Sequence, residues 1–94
     1  MKFEQEIIRI KFDKAGFRQE LGLNCRNLRE ARSMNQSDVA DTLGLSRTAY
    51  VNIEQGRQSL KLEHLVRLSI LFKVNPSEII PKLFESNTNL EGEV

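Results

Sequence analysis

The chain has 94 residues, a formal net charge of +1, 39% hydrophobic and 29% charged residues, and a single cysteine. That length fits one domain with a modest core, which a second copy can help to stabilise. One cysteine excludes an internal disulfide or a thiolate zinc site, and no apolar run approaches the ~20 residues that a bilayer span needs, so the expected setting is the reducing cytoplasm.

Charge is unevenly spread. Residues 81–94 hold Lys82 against Glu85, Glu91 and Glu93, a net −2, which leaves +3 on residues 1–80. Arg26, Arg29, Arg32, Arg47 and Arg57 concentrate in the middle of the chain. The overall balance is too small to argue for a polyanion partner by itself. A nucleic-acid reader with this charge would make few phosphate contacts, and its affinity would fall with salt less steeply than that of a strongly basic protein.

Residues 1–16 form an N-terminal extension rich in apolar side chains. Ile8, Ile10 and Phe12 alternate with Arg9 and Lys11 as in a strand, while Phe3, Ile7 and Ile10 fit a helix face equally well. This density of apolar groups predicts packing on the domain or on a second chain. Ala15-Gly16 reads as a break. A first helix is expected over Phe17 to Ser33, with Phe17, Leu21, Cys25 and Leu28 on one stripe.

Asn35 is an N-cap for a second helix, with the acidic Asp38 three residues on, and Gly44 supplies a left-handed residue at its end. Ser46 caps a third helix running to about Gln55. Val39, Leu43, Leu45, Tyr50 and Ile53 make one apolar face, and Ala40 sits where two helices cross. Two short helices joined by a tight turn in this way describe a helix-turn-helix, whose second helix can enter the major groove of DNA. Leu62, Leu65, Val66, Leu68, Ser69, Leu71 and Phe72 outline a fourth helix. Asn75-Pro76-Ser77-Glu78 opens a fifth through Ile79 and Ile80. The domain therefore spans residues 17–85, and the acidic tail 86–94 is expected to be disordered.

The run from Leu21 to Gln58, followed by LKLEHLVRLSILFKVNPSEII, resembles the phage-repressor (Xre/Cro-type) helix-turn-helix family over about residues 20–80. The resemblance implies an all-α, five-helix, lambda-repressor-like DNA-binding domain that binds a palindromic operator as a homodimer. It implies backbone contacts by Asn35 and Gln36, where helix N-termini present free N–H groups. Ser46, Arg47, Thr48 and Asn52 fall at the recognition helix. Arg47 suits a guanine edge, Asn52 an adenine edge and the Thr48 methyl a thymine. Arg57 and Gln58 match a backbone-contacting loop. Arg29 and Glu54 match a structural ion pair. Ser33 departs from the pattern at a position where glycine is common, and Tyr50 replaces the usual Val or Ile.

Other readings are weaker. Tyr50 reads as an apolar position whose hydroxyl reaches the surface or a phosphate. Cys25 reads as a small buried hydrophobe, and His64, the only histidine, as a surface residue. No catalytic set, metal cluster or cofactor motif is present in the sequence, which argues against an enzyme. The expected function is a transcriptional regulator, most simply a repressor. The alternative is an antitoxin or other protein-binding module that covers a partner such as a toxin and represses its own promoter.

Overall fold

Asp13 starts the first helix. The computed structural model describes residues 12–82, and in it the Asp13 carboxylate accepts a hydrogen bond from Gly16 N at 3.0 Å, capping α1 (Lys14–Ala31). Ala15-Gly16 is thus the first turn of a helix and not a break. The side-chain cap satisfies one of the amides that a helix start leaves open, and this outweighs the modest penalty of glycine there. Most of the N-terminal extension and the acidic tail lie outside the described residues.

Ser33 ends α1 with φ 55, the left-handed conformation usually given to glycine. Arg29 O then accepts from both Arg32 N (3.0 Å) and Met34 N (3.1 Å). Asn35 Oδ1 accepts from Asp38 N at 2.8 Å and begins α2 (Gln36–Leu43). Gly44 closes it at φ 71, and Leu45 N returns to Ala40 O at 2.9 Å. Ser46 Oγ accepts from Ala49 N at 3.1 Å and begins α3 (Arg47–Glu54). Each cap is the residue type the local chemistry favours, so the two helices and their turn are specified largely by neighbours in sequence.

Lys61 precedes α4 (Leu62–Phe72) without a side-chain cap. The chain then makes a single 3-10 turn, Pro76–Glu78, where a fifth α-helix was expected. Pro76 and Glu78 still act as start signals, with Asn75 N reaching Glu78 Oε2 at 3.4 Å. Pro81 forbids continuation: it lacks an amide hydrogen and disfavours the helical conformation at Ile80. The fold is all-α among the described residues, with no strand.

Packing follows the apolar stripes. Leu21, Cys25, Val39, Ala40, Leu43, Tyr50, Ile53, Leu68, Phe72 and Ile79 form the core, with Phe17, Leu28 and Leu45 against it. α2 lies on α3 and α4, while α1 lies on α3. Gly22 makes the second contact possible. A Cβ there would sit 2.4 Å from the carbonyl oxygens of both Ile53 and Glu54, so only glycine lets α1 approach the end of α3 this closely. Two residues lie deeper than expected. His64 is buried because the fourth-helix stripe that faces the core includes it together with Leu68 and Phe72. Tyr50 is buried completely, so its hydroxyl stays inside the fold and does not reach the surface.

Candidate nucleic-acid interface

A buried ion pair anchors the helix-turn-helix. Arg29 Nε lies 2.6 Å from Glu54 Oε2 and Nη2 lies 3.1 Å from Oε1, a bidentate arrangement between α1 and the last residue of α3. Arg29 Nη1 also donates to Met34 O at 2.9 Å, which fixes the turn before α2. The planar guanidinium suits this task because its donors match the carboxylate in a fixed fork.

The pair extends outward. Gln36 Nε2 donates to Glu54 Oε1 at 3.0 Å, and Gln36 Oε1 accepts from Arg47 Nη2 at 3.2 Å. A continuous path therefore runs from the core carboxylate through the first residue of α2 to the first residue of α3. Burial opposes charge on Glu54, yet the hydrogen bonds from Arg29 and Gln36 prevail and hold its carboxyl below the usual range. The hydrogen-bonded carboxylate likewise raises the Arg29 pKa against the opposing effect of burial. Burial raises the Tyr50 phenol, which faces the same carboxylate.

Around this path the fold opens a cleft lined by Arg26, Arg29, Asn35, Gln36, Arg47 and Gln55. Asn35, Ser46, Arg47 and Thr48 are exposed at or beside the starts of α2 and α3. Asn52 is half-buried one turn on, and its Oδ1 accepts from Arg57 Nη1 at 3.1 Å. Arg57 N also donates to Asn52 O at 2.8 Å, so the exposed loop of Arg57 and Gln58 is tied back onto α3.

The structure thus brings Asn35, Gln36, Arg47, Arg29 and Glu54 around one cleft, and it pairs Asn52 of α3 with Arg57 in the loop that follows. The Asn52–Arg57 and Gln36–Glu54 hydrogen bonds were invisible in the sequence, since neither follows from helical spacing. Gln55 and Arg26 were not assigned a site role, and only the fold brings them to the cleft. Exposed side-chain donors, amide groups and the N-terminus of α2 on one surface can engage phosphates and base edges. Among the described residues no cluster of three or more metal-ligating acid, His or Cys side chains exists, and no helix is long and apolar enough to cross a membrane.

Comparison with known proteins agrees with the fold. The helix-turn-helix family model HTH_3 matches residues 26–79. The cryptic phage CTXphi transcriptional repressor RstR of Vibrio cholerae is 35% identical over 66 residues, which cover 70% of this chain and 57% of that protein. The chain thus spans less than two thirds of that relative's length. The restriction-modification controller protein C.AhdI from Aeromonas hydrophila superposes with a TM-score of 0.61 at 26% identity, covering 66% of this chain and 94% of its own. The hypothetical transcription factor NHTF from Neisseria shares the fold with a TM-score of 0.65 at 23% identity, over 80% of this chain and 86% of its own.

Proposed function

This chain belongs to the helix-turn-helix family HTH_3, and from that premise we propose that it is a cytoplasmic transcriptional repressor that binds a palindromic operator as a homodimer. α3 enters the major groove. Arg47, Thr48 and Asn52 face the bases, while Asn35, Gln36, Ser46, Arg57 and Gln58 set the register on the phosphates.

The observation that carries the reading is the hydrogen-bonded path from Glu54 through Gln36 to Arg47. It ties the start of the recognition helix to the buried core, so that the guanidinium is oriented before DNA arrives. Pre-organisation of this kind reduces the ordering cost of binding. The sequence likeness to a phage repressor supports repression over activation. The antitoxin reading drew on the N-terminal segment and the acidic tail, which fall mostly outside the described residues.

The test is a fluorescence titration of the purified protein with DNA from upstream of its own gene, against a scrambled duplex, at physiological salt. Preference for the upstream DNA supports the proposal, and equal affinity for both duplexes refutes it.

A further inference from the structure

The outer face of α4 has no role in the core or in the DNA interface. Leu62, Val66 and Ile70 are 76%, 50% and 70% exposed, and they stand four residues apart, so they form a single apolar stripe along the helix. The opposite face of the same helix buries His64, Leu68, Ser69 and Phe72. Three large aliphatic side chains in one line differ from the scattered exposed apolar residues that any surface carries.

We propose that this stripe is the surface through which two copies of the chain pair, an inference that rests on the dimeric reading above. A second copy fits because the pattern is self-complementary. With two α4 helices antiparallel about a two-fold axis at Val66, Leu62 meets the partner's Ile70 and Val66 meets its own counterpart. Charge agrees with the same arrangement. Glu63 and Arg67 are both exposed and lie four apart along one side of the stripe. The two-fold axis sets each Glu63 beside the partner's Arg67, which joins two pairs of opposite charges along that side. Arg67 spends one nitrogen on Thr42 O at 3.3 Å, which steadies it against α2 and leaves the rest of the fork open.

The stripe is small. Three side chains supply less than the ~800 Å² per partner typical of a stable interface. Pairing in free solution is therefore weak, and it is strengthened when two copies occupy neighbouring half-sites and meet at high effective concentration.

The test is disulfide trapping of the full chain with Val66→Cys, using exposed Glu20→Cys as control. Native Cys25 is fully buried and does not compete. Under mild oxidant, Val66→Cys should cross-link at least about tenfold faster than the control, as expected when pairing raises the local thiol concentration. Val66→Glu should keep affinity for a single half-site and lose about a hundredfold for the two-half-site duplex, through loss of avidity. Cross-linking of Val66→Cys no faster than the control overturns the proposal. So does rapid cross-linking that emerges only after residues 1–11 are removed, since the chain's own N-terminal segment would then be the occupant. Selective cross-linking by a protein that binds no DNA would uphold the pairing and refute the repressor reading.

Discussion

Arg29 and Glu54 clasp each other across the junction of α1 and α3, with nitrogen–oxygen distances of 2.6 and 3.1 Å. The pair is nearly sealed from water, at 9% and 8% exposure. It also feeds the surface, because the same carboxylate holds Gln36, and Gln36 holds Arg47. One buried contact therefore serves both fold and site.

Removing one member should be costly. Glu54→Ala leaves a buried guanidinium unpaired, and it should lower unfolding stability by about 3–5 kcal/mol. Urea denaturation checks this. Replacing both partners with apolar residues of similar size, as in Arg29→Met with Glu54→Leu, should recover much of the loss. A double variant no more stable than Glu54→Ala would contradict the assignment.

Acid should attack the same point. The Glu54 pKa is lowered in the folded protein, so its contribution is present above the unfolded value of about 4.3 and is lost as pH falls through the folded value. Thermal melting should show stability falling as pH drops from about 5. Glu54→Gln should flatten that part of the profile, and an unchanged profile would assign the acid sensitivity to other carboxylates.

Backbone conformation offers a separate test. Ser33 and Lys73 sit at φ 55 and 58, where a side chain is strained. Ser33→Gly and Lys73→Gly should each stabilise by about 1 kcal/mol. Gly22→Ala should destabilise by about 1–3 kcal/mol, since α1 and α3 must part to admit the methyl group. Melting temperatures of the three variants decide the matter, and opposite signs would count against the packing described.

Much of this fold was legible before the structure because its signals are local. Asn35, Gly44 and Ser46 act on amides within a few residues, and Val39, Leu43 and Ile53 declare their face by spacing. What stayed hidden depends on distant partners. Gly22 looks like any helical glycine until α3 is set against it. Ser33 reads in the sequence only as a departure from glycine, and its left-handed φ explains why glycine is common there. His64 reads as an exposed polar residue because periodicity alone does not say which edge of an apolar stripe faces inward, and the fold buries it. In the candidate site, residue types and helix faces could be read, but the contacts of Gln36 with Glu54 and of Asn52 with Arg57 required tertiary placement.

Base preference should depend on Arg47. Arg47→Ala should weaken operator binding by about 1–3 kcal/mol and relax preference at one base pair in each half-site. Gln36→Ala should act in the same direction, by releasing Arg47, although it removes no base contact. Arg57→Ala should weaken every duplex by losing a phosphate contact and should flatten the salt dependence. Titrations with single-base variants of the operator separate these outcomes.

Cys25 supplies a check on the core. Burial, with a smaller contribution from nearby Glu54, pushes its thiol up to about 12. Thiol reagents at neutral pH should modify it only after unfolding. Rapid labelling of the native protein would mean that α1 opens readily.

The most direct test of the central claim is selection of bound duplexes from a random DNA pool by the purified protein at physiological salt. The account predicts an enriched palindrome whose half-sites lie about one helical turn, ~34 Å, apart, with enrichment lost in Arg47→Ala. No enriched sequence from folded wild-type protein would contradict it.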